Sequence, residues 1–387
     1  MKKSNQKLIM IIGILMILSL SVFYVGQFLF SGEKTPPEKS GPGTGSAASG
    51  QTGPMPEEPF PVEYRHVSLD VGGYKQEIFT LEFDPLDERI EFKPVLSYDN
   101  VFGFEMLSEI CRRTGAYAAV NGGFFYEFGD PVGMVSIDGK IFMASSGYDP
   151  VFIVDDRGAR FESVTPDISF LYNGAGAVID SINRTGKDGD IVLYTDAYGS
   201  TNRAKLINTS IRIENNTVTA MFRDTIQAPL KKDSYLISFY GKKSSLPGSL
   251  GIKTGDKLDI AIKPEFSGKY QAYECGSMLV KGGKNVAPGK DRWVGTLLNH
   301  DPRTAIGVKA DGRVVLIVVD GRQPGYSTGF TGNELADYLI GLGVKEAAML
   351  DGGATSQIFV NGHIQNKPSY EGKERPVAGA FIVKVKD

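Results

Sequence analysis

Val314-Val315-Leu316-Ile317-Val318-Val319-Asp320 and, further along, Ala347-Ala348-Met349-Leu350-Asp351 are two apolar runs that each hand over to an aspartate. Between them, Thr331-Gly332-Asn333-Glu334 has the spacing of a capping box, Leu335, Leu339 and Leu342 supply an apolar face, and Gly341 or Gly343 supplies a stop. Strand, helix and strand in that order make a βαβ unit, whose two strands run parallel and finish on one edge of their sheet. The pattern predicts that Asp320 and Asp351 emerge side by side at the edge where open α/β sheets bind ligands.

Outward from this unit the chain reads as short strands. Arg65 to Val71, Glu77 to Phe83 and Arg89 to Val95 are strand-like runs bounded by turn residues. Asp138-Gly139, Asp311-Gly312 and Asn361-Gly362 look like hairpin connections and predict antiparallel pairing around them. The stretch from about 200 to 264 has further alternating runs without any chemical pattern and reads as a β-rich subdomain. The expected fold class is α+β, a strand-rich mixed sheet core with a βαβ unit in the C-terminal third, plus an N-terminal transmembrane helix.

That helix is expected because Leu8 to Phe30 contains no charged side chain and, at about 1.5 Å per residue, is long enough for a hydrocarbon core of roughly 30 Å. Lys2, Lys3 and Lys7 put the N-terminal tail in the cytoplasm, so a single-pass protein of the cell membrane with its C-terminal domain outside is expected. A cleaved signal peptide is the competing reading; the run is long for one and no small-x-small site adjoins it. Residues 31–61 are rich in Gly, Pro, Ser, Thr and Glu and read as a flexible linker, leaving 62–387 as the catalytic domain.

The 387 residues, 41% of them hydrophobic, can bury a full core, and 42 Lys+Arg against 45 Asp+Glu give a net charge of −3. With no basic run interleaved with aromatics, nucleic acid is not an expected partner. Cys111 and Cys275, the only cysteines, are too few for a disulfide scaffold or a structural zinc site. Cys111 lies on the apolar stripe Met106, Leu107, Ile110, Cys111 of a helix, where a buried thiol is expected.

Asp351 opens Asp351-Gly352-Gly353-Ala354-Thr355-Ser356, in which glycines let the backbone turn tightly and two hydroxyls follow, a pattern suited to an anionic or polyol ligand. The same grammar ends an earlier strand, Tyr117 to Val120, in Asn121-Gly122-Gly123-Phe124-Phe125. Asn121 both donates and accepts hydrogen bonds, as sugar hydroxyls require, and Phe124, Phe125 and Tyr126 offer flat faces for a pyranose. Either motif read alone is also an ordinary turn. Arg303, in the run from Asn299 to Ala305, enters the hairpin that ends at Asp320, where its guanidinium either grips phosphate or pairs one of the two aspartates as a structural salt bridge. His300, Arg322 and Arg375 are further candidates for binding, and Glu274, in Tyr273-Glu274-Cys275-Gly276-Ser277, is a candidate acid.

Ala119 to Phe125, His300 to Gly307, Val319 to Arg322, Leu350 to Ser356 and Glu374 to Val377, taken in this order, resemble the phosphodiester glycosidase family. That family includes the lysosomal uncovering enzyme and many bacterial exopolysaccharide-related proteins. The resemblance spans roughly residues 64–385 and is densest after Asp301. It implies hydrolysis between a sugar anomeric carbon and a phosphate, with a carbohydrate or phosphosugar polymer as partner. Ala354 departs from the family, which often has glycine or a small polar residue there.

Three functions follow from these residues. In a glycosidase, Asp351 attacks the anomeric carbon or activates water, Asp320 or Glu274 is the acid/base partner, and Arg303 with the Gly352 and Gly353 amides stabilises the departing phosphate. In a metal-dependent phosphodiesterase, Asp320, Asp351 and Glu274 hold Mg²⁺ or Ca²⁺. In a non-catalytic module, the same residues bind cell-wall polysaccharide without turnover.

Overall fold

The computed structural model describes residues 59–386. The elements that place the site are, in chain order, β1 (Val62–Val71), β2 (Tyr74–Phe83), β3 (Ile90–Leu96), α1 (Leu107–Thr114), β4 (Ala118–Asn121), β5 (Arg303–Lys309), β6 (Val314–Val319), α2 (Gly332–Gly341), β7 (Val344–Met349), β8 (Ile358–Val360) and β9 (Gly379–Val385). A seven-stranded sheet has the order β1, β2, β6, β5, β7, then Met278–Lys281 and Lys284–Asn285. A five-stranded sheet runs from His363–Ile364 through β8, β4 and β9 to β3.

Side-chain alternation explains how these two sheets come together. In β6, Val314, Leu316 and Val318 share one core with Leu81, Phe83 and Ile306 and with Val120, Ile358, Phe381 and Val383 of the second sheet. Val315, Ile317 and Val319 face the other way and pack with Leu335, Ala336 and Leu339 of α2. On the second sheet's outer side, Leu107, Ile110 and Cys111 of α1 pack with Val95, Ala119, Phe359, Ala380 and Ile382. The layers are therefore helix, sheet, sheet, helix, and a strand covered on both faces must be apolar throughout, as β6 is. Each such side chain contributes about 1.5–3 kcal/mol by leaving water, so one polar replacement inside β6 would remove a large part of a domain's net stability.

The capping box forms as its spacing predicts. Thr331 Oγ1 accepts from the Glu334 amide at 3.2 Å, and the Glu334 carboxylate accepts from the Thr331 amide at 2.8 Å. The three expected hairpins also form, as Val135–Ile137 with Lys140–Met143, β5 with β6, and β8 with His363–Ile364. At Asp138-Gly139 and Asn361-Gly362 both turn residues have positive φ (50° and 75°, 46° and 92°), the backbone twist that matches a two-residue hairpin.

The expected α+β class is corrected. Among the described residues the strands fill six sheets, whereas the α-helices are α1, α2 and the single turn Leu246–Ser249, so the architecture is predominantly β. The cause is periodicity, because only two longer segments carry a helical stripe while the remaining apolar runs alternate at period two and pair with one another. The expected transmembrane helix at Leu8–Phe30 lies outside the described residues, and no helix among those described is long and apolar enough to cross a membrane.

The βαβ unit carries a second difference. β6 and β7 are parallel and α2 connects them, but β5 lies between them and pairs antiparallel with both. The hairpin partner of β6 occupies its free edge, so the crossover passes over one strand before β7 can dock. The β-rich subdomain also starts before Ser200, since its core already contains Ile168, Phe170, Ile182 and Ile191 alongside Ile211, Ile237, Phe239 and Leu258.

Candidate active site

β4 ends at Asn121, and β7 hands over through Leu350 to Asp351, whose main chain continues beside β5 because the Leu350 amide donates to Thr304 O at 2.9 Å. The Asn121 side chain is buried and joins the two sheets here. Its Nδ2 donates to the Asp351 carbonyl at 2.7 Å, and its Oδ1 accepts from Thr304 Oγ1 at 2.9 Å and from the Gln357 amide at 3.1 Å. In return the Asp351 amide donates to Gly122 O at 3.1 Å. An aspartate here could not reproduce this, because Nδ2 is the only donor among these groups that faces the Asp351 carbonyl.

The Asp351 carboxylate is held by Thr355, whose Oγ1 donates to Oδ2 at 2.7 Å and is itself buried. Burial raises its pKa from the ordinary carboxylate range to about 6, against the pull of the Thr355 hydroxyl, the Arg375 charge and the Gly352 amide. Such a group is ionised at neutral pH yet sits where its charge is poorly solvated, which strengthens it as a nucleophile or base.

Asp320 follows Val318 on the inward-facing side of β6 and so reaches the loop after β8. Oδ1 accepts from Asn366 Nδ2 at 2.7 Å, and Oδ2 from the Lys367 amide at 2.8 Å and from Tyr326 OH at 3.1 Å. Asn366 Nδ2 also donates to Ser356 O at 3.0 Å, which links the Asp320 end to the Asp351 loop. Burial raises the Asp320 pKa to about 6 as well. With 1% exposure and both oxygens engaged, Asp320 fixes the loop and does not face a substrate. The two aspartates thus belong to one connected cluster but differ in what they can touch.

The other sequence candidates divide clearly. Arg375 is placed beside Asp351: its charge acts on that carboxylate, its guanidinium has no ion-pair partner among the described residues, and its main chain exchanges two 2.9 Å hydrogen bonds with the Gln357 side chain. Arg322, at φ 59°, pairs Asp301 at 2.8 Å and lies against Gly353, where a Cβ would come within 3.3 Å of the guanidinium. Gly353 has φ 67°, a left-handed conformation that favours glycine, while the guanidinium tip beside it could give way.

Arg303 is a correction. It is 2% exposed, its guanidinium donates to Phe330 O at 2.9 Å and Asn299 O at 2.8 Å, and it lies 3.7 Å from the carboxylate of Asp301, not of Asp320 or Asp351, so its role is the structural one and it braces the loop above α2. His300 is likewise elsewhere, within 3.0 Å of Glu334 of α2. The Gly353 amide donates to Pro302 O at 2.8 Å and the Gly352 amide serves the Asp351 carboxylate, so neither is free for phosphate. Thr355 and Ser356 are buried and hold the loop from within, and the Tyr273 ring packs against Gly123. Glu274 is buried too, its carboxylate accepting from the Met134 amide at 2.9 Å and from the Ser146 amide and hydroxyl. It satisfies backbone donors of two loops.

Asp320, Asp351 and Glu274 therefore do not form the oxygen-ligand set expected for Mg²⁺ or Ca²⁺, and no group of three or more His, Cys, Asp or Glu suited to a metal occurs among the described residues. Cavities of about 220 Å³ beside Tyr148 and Phe161 and about 510 Å³ beside Arg223 and Lys242 contain none of these cluster residues. Sequence reading missed Thr304, Gln357, Asn366, Tyr326 and Lys367. Thr304 was within a quoted motif, whereas Asn366 lies in Gln365-Asn366-Lys367, which carries no local signal.

Residues 207–384 match the family described as phosphodiester glycosidase. Over these residues the chain is similar in sequence to phosphodiester glycosidases. The match takes in Asp320, Arg322, Asp351 and Arg375 and begins after the Asn121 motif. Among curated proteins, the SPbeta prophage-derived uncharacterized protein YomE of Bacillus subtilis is 34% identical over 31% of this chain and 18% of its own length. An uncharacterized protein of Rickettsia conorii is 28% identical over 54% of this chain and 76% of its own. A hypothetical protein from Synechocystis has a crystal structure with TM-score 0.69 and 21% identity, over 84% of this chain and 62% of that one, which is a likeness of fold. The chain spans less than two thirds of YomE and of the Synechocystis protein. The phosphodiester glycosidase match agrees with the family resemblance carried by the sequence motifs.

Proposed function

We propose that this chain is a hydrolase that cleaves the glycosidic C–O bond of a sugar-1-phosphodiester in a cell-envelope or extracellular polysaccharide. The observation that carries the reading is Asp351, a carboxylate with a pKa raised to about 6, oriented by Thr355 and flanked by the unpaired Arg375. Its loop lies within the phosphodiester glycosidase match.

In this reading the Asp351 carboxylate attacks the anomeric carbon or takes a proton from the water that does. The C–O bond breaks with its electron pair passing to the bridging oxygen, so the phosphate departs as a monoester and the water oxygen finishes on the sugar. A phosphate leaving group needs little protonation, which suits a site with cations, Arg375 and Arg322, and without a second exposed acid in the cluster. Asp320 and Asn121 act as positioning residues. Hydrolysis of a sugar-1-phosphodiester in ¹⁸O-water tests it: label on the sugar supports C–O cleavage, whereas label in the phosphate eliminates a glycosidase.

A further inference from the structure

Beyond Asp351, a row of aromatic side chains lies on loops that the chemistry above does not use. The loop that continues Asn121-Gly122-Gly123 presents Tyr126, which is 45% exposed. The loop before Val151–Asp155 presents Tyr148, which is 73% exposed. A third loop carries Arg292 and the chain's single tryptophan, Trp293. Tyr126 and Tyr148 expose apolar rings to water, whereas Trp293 is half-buried, one part of it packed against the core beside α2 and the rest accessible.

These rings are held in fixed positions. Fully buried Asp291 accepts from the Trp293 and Val294 amides at 2.7 and 3.0 Å and from the Ser277 amide and hydroxyl at 2.8 and 2.6 Å. The indole Nε1 donates to Asp149 Oδ2 at 3.0 Å, which fixes the ring plane. Phe124 stacks on the indole with centroids 6.4 Å apart, Tyr126 meets it edge-on at 6.1 Å, and the Arg292 guanidinium lies 4.2 Å from the Tyr148 ring centre. Phe124 also ties the row to the candidate active site. A Cβ on Gly276 would fall 2.6 Å from the Phe124 ring and 3.2 Å from Met349, just ahead of Asp351.

We propose that Tyr126, Trp293, Tyr148 and Arg292 form a second saccharide subsite, which holds a neighbouring unit of a phosphosugar polymer while Asp351 acts on another. Pre-set rings give a pyranose a flat C–H face to cover at little entropic cost. Arg292 and Asp149 stand between the rings as donor and acceptor for hydroxyl groups, and Arg292 also suits the phosphate of the repeat. A protein partner would favour a contiguous aliphatic patch; here aromatic faces alternate with charges and run on from the catalytic loop. The proposal rests on the phosphodiester glycosidase reading only for the identity of the polymer.

The test uses a poly(glycosyl-1-phosphate) and the monomeric methyl phosphodiester of the same sugar, with wild type, Tyr148→Ala, Trp293→Ala and Trp293→Phe. The expected result is a KM for the polymer raised about five- to tenfold in the alanine variants relative to that for the monomer, and partly restored by Trp293→Phe. Equal changes on both substrates, or no change on either, overturn it. Tyr148 is so exposed that its replacement leaves the fold intact. If wild type hydrolyses neither substrate, retardation of Asp351→Asn and of Asp351→Asn/Tyr148→Ala in gels containing the polymer decides separately. Weaker retardation of the double variant upholds the subsite although the catalytic reading fails, and equal or absent retardation overturns the subsite.

Discussion

The Asn121 side-chain amide donates to the Asp351 carbonyl at 2.7 Å, so the end of β4 in one sheet sets the position of the acid that follows β7 in the other. Replacing Asn121 by Ala would leave that carbonyl, Thr304 Oγ1 and the Gln357 amide without partners. A loss of about 2–4 kcal/mol is expected in urea unfolding. Below its melting transition the variant should keep its KM while kcat falls, because Asn121 positions Asp351 and is itself buried; an unchanged kcat would remove Asn121 from that role.

Asp351→Asn should abolish turnover, with kcat reduced by about a thousandfold or more in a phosphodiester assay. In the wild type the same group gives kcat an acidic limb centred near pH 6, since the ionised form is the active one. A profile flat from pH 5 to 8 would assign the chemistry to another residue.

Stability runs in the opposite direction with pH. The folded Asp351 binds its proton more tightly than the unfolded chain does, so its contribution is fully present below about pH 4 and is lost as pH rises through about 6. Asp351→Asn removes this titration while Asp320 supplies the same slope to both proteins. The variant should match wild type at pH 4 and exceed it by about 3 kcal/mol at pH 7.5. Calorimetry at the two pH values checks the sign.

Asp320→Ala would leave the Lys367 amide without an acceptor and take from Asn366 Nδ2 one of its two, and a loss of about 3 kcal/mol is expected. Asn366→Ala should share most of it, so a double-mutant cycle should show coupling of about 1 kcal/mol or more. Strict additivity would refute the link through Asn366.

The two arginines should separate cleanly. Arg375→Ala is expected to lower kcat/KM about a hundredfold with little change in melting temperature. Arg303→Met is expected to destabilise the fold, because Asn299 O loses its guanidinium donor and Phe330 O keeps only the Asp301 amide, and to spare catalysis per folded molecule.

The limits of reading the chain in one dimension are visible in the same residues. The apolar runs into Asp320 and Asp351, the capping box at Thr331 and the hairpin dipeptides are local patterns, and each gave the correct element. What Arg303 does is only partly local, because one carbonyl that holds it, Asn299, lies four residues back and the other, Phe330, lies on a separate loop. Asn366 and Glu274 are alike in this respect: the donors and acceptors that define their roles lie far away in sequence. The fold class failed for a related reason, since two genuine helices were weighed against strands whose number becomes plain only once they pair.

β5 also acts as a ruler. Two strands hydrogen-bonded to opposite sides of a third stand about 10 Å apart, and the backbone ends that deliver Asp320 and Asp351 inherit that gauge. A short-range carboxylate couple is therefore awkward to build from them, and whatever lies across the tip of the middle strand spans the interval. Changing the spacing would take a new ladder partner, not a new loop, so this scaffold can diversify its rim freely while Asp351 stays where the sheet puts it.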